Sequence, residues 1–522
     1  MNINNLHRHT VVAAILFSMS HTASAADEAL LQVLLANKLI TQKQYDAIVA
    51  AQSKSAEKQP APTATATPAA TADKPVPKSE DGLLDVLLAN GVITQQQFAA
   101  LQLKNADDKA KKVASEEAKV TLKDGLKIKS ASGDFSAQIG AYAQLDSAWY
   151  GDGPTDFSDG TEMRRTRLSV NGTVFRDWDY KVEADFAGTT QATGTTNNVT
   201  VTDAYLRYTG WKPFAFTAGS FKIPFSLEAV SSAKYTTFME RGLPFAFLNL
   251  RSLGGMISAN GDNWTGAVGF FGDTVTSQNV DDEGRGGAAR VTWAPFFQKD
   301  KVLHFGLAGQ YRIPADNPAG NRRESVRFRS KPESNIITDN LTQTGTLTAA
   351  GKTFGRSSGR LVDTGDIPGN VEDYTLFGAE FAAVYGAASL QGEYIRADVN
   401  RDIGGDLAFD GYYVYGSWFL TGESRNYKAD KGVFDIVQPN SSFRLHGGGW
   451  GAWEIALRFS SLDLNDKTVA GGETQDVTVG LNWYPNAYMR LMANYVNVLD
   501  VDGGAHNNED LDAIQLRAQV AY

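Results

Sequence analysis

Apolar and polar residues alternate along most of the chain after about residue 125. The clearest segment, DFSAQIGAYAQLDSAWY at 134–150, places Leu145 on one face and Gln144 on the other. The final segment, DAIQLRAQVAY at 512–522, alternates in the same way and ends on an aromatic residue. A period of two sustained over about ten residues predicts β-strands with one apolar and one polar face.

This alternation predicts sixteen strands, an even number. They lie near 135–149, 163–175, 179–188, 201–210, 213–222, 253–261, 264–272, 287–296, 301–312, 373–386, 388–397, 409–420, 452–463, 474–484, 488–498 and 511–522. The segments reach the roughly 9–11 residues that a tilted, membrane-spanning strand needs. The predicted fold class is therefore an all-β transmembrane barrel of sixteen antiparallel strands.

The connections between the predicted strands differ in length in a regular way. Every second connection is short, as at 295–299 and 485–487, and the alternate ones are mostly long and polar, up to 313–372. Short turns at one end and long loops at the other are typical of an outer-membrane barrel. One connection, 421–451, is long although it lies on the short-turn side. The alternative, a soluble β-sandwich, would normally divide into several domains at this length.

The N-terminal region, 26–120, has a different pattern and follows a predicted export signal at 1–25. The apolar run of this signal is too short to span a bilayer, and small residues precede the expected cleavage site. The segment ALLQVLLANKLITQKQYDAI at 29–48 recurs as GLLDVLLANGVITQQQFAAL at 82–101. Apolar residues at helical spacing predict a small periplasmic helical hairpin in each copy. The Ala/Thr/Pro-rich stretch 51–80 between them lacks residues for a core and is expected to be a linker.

Each copy also carries the pattern of a helix N-terminus. Thr41 precedes Gln44 by three residues, and Thr94 precedes Gln97 in the same way. This spacing predicts a capping box at the start of the second helix of each hairpin. After the N-terminal region, the barrel is predicted over 125–522.

Composition narrows the possible chemistry. The chain has 522 residues, 49 Lys+Arg against 59 Asp+Glu, no cysteine and six histidines, with a formal net charge of −10 at pH 7. The lack of cysteine excludes disulfides and thiolate metal sites, and the acidic balance argues against nucleic-acid binding, which needs surplus cations. No run of about 18–20 apolar residues predicts a membrane-spanning helix. We therefore expect no cofactor, no metal and no nucleic-acid partner.

One short motif matches the nucleophile pattern of hydrolases, GRSSG at 355–359. The motif requires a strand-turn-helix context, and this copy lies in a long polar loop. His304, His446 and His506 are separated along the chain and have no evident nucleophile beside them. We interpret the motif as a chance match, and a surface hydrolase built on the barrel is kept as a remote alternative.

Basic residues cluster on the second predicted strand. Arg165 and Arg167 share strand parity with Asn171, so all three point to the same side. We assign that side to the lumen, because an arginine that faces lipid at the bilayer midplane costs about 2–4 kcal/mol. Arg164 has the opposite parity. Either it lies at the membrane interface or a β-bulge turns it inward.

A second basic cluster lies in the longest predicted loop. Arg327, Arg329 and Lys331 are two residues apart, and Arg322 and Arg323 precede them. In an extended backbone this spacing puts the three cations on one side, roughly 6.6–7 Å apart. Such a row offers an anion overlapping weak sites rather than one deep trap. Guanidinium groups suit phosphate and carboxylate because their planar donors form bidentate hydrogen bonds.

Six ordered blocks of the chain resemble the phosphate-selective porin O and P family. They are MRRTRLSVNGTVFRDWDYKVEADF (163–186), LEAVSSAKYTTFMERGLP (227–244), RFRSKPES (327–334), GYYVYGSWFLTGESRNYKADKGVFDIVQP (411–439), GAWEIALRFSSLDL (451–464) and VTVGLNWYPNAYMRLMANYVNV (477–498). The resemblance implies a trimer of sixteen-stranded barrels in a Gram-negative outer membrane, each an anion-preferring channel. It also implies that the connection 421–451 folds into the pore.

The resemblance implies further pore-lining residues. They are Asp203, Ser232, Lys234 and Arg241 at a constriction, and Lys428 and Lys431 from the inward-folded connection. The phosphate-selective members carry a lysine directly after the glutamate that corresponds to Glu228, and this chain has Ala229 there. Such members can also have tyrosine where this chain has Arg167. Anion preference is expected to survive this exchange, whereas strict selectivity for phosphate is not implied.

These features predict a passive, anion-preferring outer-membrane porin for phosphate or related oxyanions. The alternative within transport is a less selective diffusion channel for small nutrients or organic acids. The expected partners are outer-membrane lipid, lipopolysaccharide and further copies of the chain in a homotrimer.

Overall fold

The computed structural model describes most of the region after residue 117 and a short part of the region before it. The described residues are 88–89, 91, 93–104, 118–122, 125–187, 189–191, 194–196, 199–275, 282–316, 324–337, 345–349, 351–356 and 359–522. The chain divides into two units, Met1–Glu116 and Glu117–Tyr522. The predicted signal 1–25, the repeat copy 29–48 and the linker 51–80 lie outside the described residues.

The described part of the first unit contains a helix over 95–104. The Thr94 backbone nitrogen donates to Oε1 of Gln97 at 2.8 Å, and the Gln97 backbone nitrogen donates to Oγ1 of Thr94 at 3.2 Å. These two reciprocal bonds are the capping box that the spacing predicts for the second repeat copy.

The second unit is built on sixteen long antiparallel strands, named β1 to β16 in chain order. They are β1 Ser136–Tyr150, β2 Gly160–Val174, β3 Trp178–Asp185, β4 Thr200–Tyr208, β5 Phe214–Lys222, β6 Arg251–Asn260, β7 Trp264–Phe271, β8 Arg285–Gln298, β9 Lys301–Ile313, β10 Val371–Tyr385, β11 Ala388–Arg401, β12 Leu407–Phe419, β13 Ala452–Asp466, β14 Val469–Asn486, β15 Met489–Asp502 and β16 Leu511–Ala521. Each pairs with the next, and β16 pairs with β1, as in Leu516 opposite Ser147. The sheet closes into a barrel, so all sixteen predicted strands and the predicted fold class are confirmed.

Several short elements accompany the barrel, and the alternation pattern does not predict them. A hairpin of Lys119–Thr121 and Leu126–Lys129 pairs with the start of β1. The loops contain the strand pairs Thr189–Gln191 with Gly194–Thr196, Arg329–Ser330 with Val362–Asp363, Gly345–Ala349 with Lys352–Arg356, and Asn426–Lys428 with Val433–Asp435. A helix, α1, spans Leu227–Val230, and a 3₁₀ turn spans Leu243–Phe247. Among the described residues, no helix is both long and apolar enough to cross a membrane.

Burial on the barrel wall is the reverse of that in a water-soluble protein. Val182 and Leu516 are 52% and 45% exposed on the outer face. Gln144 and Arg517, on the inner face, are 0% and 2% exposed. An apolar outer face and a polar interior require lipid outside and a polar lumen inside. The soluble β-sandwich is therefore excluded.

Three connections fold into the barrel. The loop 223–250 enters between β5 and β6 and carries α1. The loop 314–370 places Val326 and Phe328 in a core that also contains Leu376 of β10 and Phe409 of β12. The connection 420–451 enters from the short-turn end, where Oη of Tyr427 lies 2.6 Å from Nδ1 of His304. This inward course is the one that the resemblance implies for 421–451.

Candidate pore lining

A bulge in β2 turns Arg164 into the barrel. Arg165 pairs with Gln144 of β1, but the next pair joins Met163 to Leu145, so Arg164 is the extra residue in the ladder. Its Nε and Nη2 donate to the Glu240 carboxylate at 2.8 and 3.0 Å. Because Glu240 belongs to the inward-folded loop 223–250, the bulge alternative is right and the interface alternative is wrong.

The Glu240 carboxylate is shared by three arginines. Besides Arg164, it accepts from Nη2 of Arg517 at 2.9 Å and lies 3.8 Å from Nη2 of Arg165. Arg517 also forms a bidentate pair with Asp146 at 2.7 and 2.6 Å. Three guanidinium groups thus face two carboxylates, which leaves a local excess of positive charge.

The neighbouring lumen wall carries a balanced network of charges on β2, β3, β4 and β6. Nε of Arg167 donates to Asp185 at 2.7 Å and its Nη1 lies 3.3 Å from Glu183. Asp203 accepts from Nζ of Lys181 at 2.5 Å and from Nε of Arg251 at 2.6 Å. Asp203 is therefore paired with two cations. Lys181 and Arg251 were not predicted as site residues, although strand alternation places Lys181 beside Glu183 on the polar face.

Two cavities follow one another along the lumen. The outer cavity, on the long-loop side, is about 490 Å³, and the inner cavity, on the short-turn side, is about 600 Å³. Arg165, Arg167, Arg241 and Leu250 line both. These four residues therefore mark the junction between the cavities.

Basic side chains dominate both cavities. The outer cavity has eight of them, Arg164, Arg165, Arg167, Arg241, Arg327, Arg329, Lys331 and Arg360, against the carboxylates Glu240 and Glu333. The inner cavity has nine, Arg165, Arg167, Lys181, Arg207, Lys222, Arg241, Arg251, Arg290 and Lys431, against Glu183, Asp203 and Asp430. Of these, Lys181, Arg207, Lys222, Arg251, Arg290 and Arg360 were missed because a single basic residue on a polar strand face or in a long loop carries no distinctive sequence signal.

The structure brings together the row Arg327, Arg329 and Lys331. All three line the outer cavity, while Val326, which precedes the row, and Phe328, which lies within it, belong to the apolar core. Arg327 forms a bidentate pair with Asp363 at 2.6 and 2.5 Å. Arg322 and Arg323 lie outside the described residues.

Lys331 has an unusual environment for a loop cation. Its Nζ donates to the Asn335 carbonyl oxygen at 2.5 Å. Burial lowers the pKa of Lys331 to about 8, and the nearby Arg360 guanidinium lowers it in the same direction. The charge of this ammonium group therefore changes within the mildly alkaline range.

The constriction residues implied by the resemblance divide into two groups. Ser232, Arg241 and Lys431 line the inner cavity with Asp203. Lys234 instead lines a separate cavity of about 370 Å³, with its Nζ 5.6 Å from the centre of the Tyr142 ring.

Lys428 lies away from the junction. It lines a cavity at the short-turn end with Asp262, and its Nζ is 3.9 Å from Asp435. Its position differs from the one that the resemblance implies.

Ala229, where the resemblance implies a lysine, is buried in α1. Nζ of Lys222 donates to the carbonyl oxygens of Ala229, Val230 and Ser231 at 2.9, 3.1 and 2.6 Å. An ammonium group from β5 therefore lies beside α1, although the helix itself carries no lysine at that position.

A further set of arginines holds the loop 223–250 in place. Nη1 of Arg458 donates to the Glu240 carbonyl oxygen at 3.0 Å. Arg490 donates to the carbonyl oxygens of Thr236 and Thr237 at 2.6 and 2.8 Å. Sequence reasoning missed both arginines, because their loop partners lie more than 200 residues away.

The hydrolase-like motif gains no support from the part of the chain that the structure describes. Ser357 and Ser358 lie outside the described residues. Within those residues, no group of three or more His, Asp or Glu side chains is arranged to hold a metal ion.

Comparison with known proteins identifies the family of the chain. The family model described as "Phosphate-selective porin O and P" matches residues 140–522. Porin O of Pseudomonas aeruginosa is 27% identical over 429 residues, which cover 77% of this chain and 92% of that protein. An uncharacterized protein of Caulobacter vibrioides is 28% identical over 389 residues, covering 71% of this chain and 70% of that protein.

Solved porin structures are similar at low identity. OmpT of Vibrio cholerae is 13% identical with a TM-score of 0.45, covering 74% of this chain and 98% of that chain. The anion-selective porin of Comamonas acidovorans is 14% identical with a TM-score of 0.44, covering 74% of this chain and all of that chain. The family match spans well over half of the sequence. The chain belongs to the phosphate-selective porin O and P family and is an outer-membrane channel rather than an enzyme.

Proposed function

We propose that this porin is a passive, anion-preferring channel that admits phosphate or related oxyanions. The excess of cations in the lumen carries the proposal. Eight basic side chains against two carboxylates line the outer cavity, and nine against three line the inner one. In a narrow, low-dielectric pore, the lining determines the potential that a permeating ion meets.

The net charge of −10 does not oppose anion passage. Part of the acidic charge lies in loops, as in the loop before β8, where Asp282 and Glu283 are found, and lumen carboxylates such as Asp203 are paired with cations. Exposed charges more than about 8–10 Å from the lumen are largely screened at physiological ionic strength.

The arrangement of the cations favours passage over tight binding. Arg164 and Arg167 are each paired with a carboxylate, at 2.8 and 2.7 Å, so their positive charge is partly offset. An oxyanion moving from the row Arg327, Arg329 and Lys331 to the junction meets successive weak sites, and such multi-site binding permits exit as well as entry. Guanidinium donors match the oxygen geometry of phosphate and carboxylate.

The proposed assembly is a homotrimer in outer-membrane lipid, with lipopolysaccharide around the long-loop end. The N-terminal repeats are proposed to lie in the periplasm.

Planar-bilayer recording tests this function. We expect a reversal potential in a potassium chloride gradient that reports chloride over potassium, a chloride current that saturates, and block by millimolar phosphate. Linear, unblocked conductance with chloride preference would identify the less selective diffusion channel, and preference for potassium would refute anion selectivity altogether.

Replacing Arg164, Arg165 and Arg167 together with Ala should lower the chloride-to-potassium permeability ratio by about tenfold or more, since the remaining carboxylates then lose their cations. Arg176→Ala is the matched control, because Arg176 pairs with Asp134 at the short-turn end and is 74% exposed. An unchanged ratio in the triple variant would contradict the assignment of these arginines to the pore.

A further inference from the structure

An apolar strip accompanies the basic residues through both cavities. Its members are Phe245, Ala246 and Leu248 in the outer cavity, Leu250 at the junction, and Met256 in the inner cavity. The strip belongs to the inward loop and β6. It is therefore made by several side chains of neighbouring segments and not by one isolated side chain.

These apolar side chains are partly exposed to the lumen although apolar residues beside them are buried. Leu243 and Phe247 of the same loop segment are buried in the apolar core at 1% and 2% exposure. Ala246 and Leu248 pack against the same core and, like Phe245 and Leu250, remain partly exposed on the lumen side. Apolar surface left in contact with water forgoes the stabilisation that burial provides, so an apolar strip in a basic channel points to a permeant that covers it.

The strip and the cations are close enough to act on one molecule. The Arg241 guanidinium lies 4.8 Å from the centre of the Phe245 ring. Leu250 lines both cavities together with Arg165 and Arg167. Leu250 directly precedes β6, four strands along the sheet from β2, which carries these two arginines. A permeant at the junction therefore meets guanidinium donors on one wall and an aliphatic side chain on another.

We propose that the pore favours amphipathic organic anions, meaning a phosphate or carboxylate head on an apolar body, over the bare inorganic anion. The head is passed between the guanidinium groups while the body contacts the strip. The inference deepens the proposed function and rests on its anion preference.

Block of the chloride current by matched anion pairs tests the proposal. Phenyl phosphate is compared with inorganic phosphate, and phenylacetate with acetate, in the wild-type channel. We expect the aromatic member to block at about tenfold lower concentration, the factor expected when one face of a phenyl ring leaves water. A difference in one pair alone assigns the preferred head group, and equal block within both pairs overturns the inference.

Substitution of the strip sharpens the test. Leu250→Asn should bring the ratio of the two half-blocking concentrations close to one, and Met256→Gln should lower it as an independent variant. Ile403→Asn is the control, because Ile403 is 73% exposed in the β11–β12 connection and lines neither cavity. A ratio that stays at the wild-type value in both strip variants overturns the inference.

Failure of this inference is distinguishable from failure of the proposed function. If the two anions of each pair block equally and the reversal potential still favours chloride, the apolar strip does not contribute to binding and the anion preference stands. A reversal potential that favours potassium contradicts the proposed anion preference itself.

Discussion

Arginines on two walls of the barrel interior serve different purposes. In the wall formed by β13 to β16, Arg458 and Arg517 are 0% and 2% exposed, and their guanidinium groups bind carboxylates and loop carbonyl oxygens. In the wall formed by β2 to β8, Arg167 and Arg251 are also paired but face the inner cavity. The first group holds loops, and the second borders the path of an ion.

The contrast follows from what each wall meets across the lumen. Residues of β10 to β14 such as Val399 and Leu462 are fully buried against the inward loops, so water is excluded there. A buried charge must then find its partners within the protein. Toward β2 to β8 the loops leave two cavities, which Arg167 and Arg251 line, whereas Arg290 of β8 is buried and donates to the Gly432 carbonyl oxygen. The position of the pore is therefore set by the wall on which the loops pack.

The largest expected effect is on the stability of the protein and concerns the wall formed by β13 to β16. Nε of Arg458 donates to Glu333 at 3.0 Å, and its Nη1 lies 3.8 Å from Glu228. Arg458→Met leaves both carboxylates without this buried cation. We expect a loss of about 3–5 kcal/mol in the free energy of unfolding, measured by urea titration of the lipid-reconstituted barrel with circular dichroism.

The matched control is Arg396→Met. Arg396 is paired with Asp398 at 2.9 Å but is 45% exposed, so its removal should cost about 0–1 kcal/mol. Equal losses in the two variants would show that burial does not separate loop-holding arginines from the others.

The next effect is on anion selectivity and concerns the wall formed by β2 to β8, which borders the two cavities. Arg167→Gln removes one cation from the group Arg167, Lys181 and Arg251 and leaves Asp185 without its partner. The chloride-to-potassium permeability ratio should fall about fivefold, since one charge at about 4 Å contributes about 1 kcal/mol even in water. Reversal potentials in a salt gradient measure this ratio. Arg517→Gln should lower stability with a much smaller change in the permeability ratio, and the opposite ranking would contradict the division between loop-binding and pore-lining arginines.

A smaller effect should appear on changing pH. The pKa of Lys331 is about 8, lowered chiefly by burial. Between pH 7 and pH 9 its charged fraction falls from about nine-tenths to about one-tenth, so the outer cavity loses one cation as pH rises. We expect chloride preference to drop about twofold over this range. Lys331→Arg, which stays charged, should abolish the pH dependence, and a drop that persists in this variant would assign it to another group.

The smallest expected effect is a difference in chloride preference between variants at two lysines of the inward-folded connection. Lys431 lines the inner cavity, whereas Lys428 lines a cavity at the short-turn end and is 42% exposed. Lys431→Ala should lower the chloride preference measurably but less than twofold, and Lys428→Ala should leave it unchanged. An equal effect of both variants would place Lys428 on the ion path after all.

Much of the fold and part of the pore lining could be predicted before the structure. The inward direction of Arg165 and Arg167 follows from strand parity, and the common side of Arg327, Arg329 and Lys331 follows from their spacing. The bulge at Arg164 could only be offered as one of two alternatives. The role of Lys222 beside Ala229 could not be predicted, because it depends on the fold of α1 back toward β5.

The alternation of apolar and polar residues is enough to predict the sixteen strands, the barrel and the side on which most residues lie, because the two-residue period is a local property of each strand. Which arginines bind loops and which border the lumen depends on the packing of the loops inside the barrel. Their partners lie far away along the chain: Glu240 is 76 residues from Arg164, and its carbonyl oxygen meets Arg458 across 218 residues. Pairing over such distances depends on how the loops pack inside the barrel, and no local pattern of residues records it.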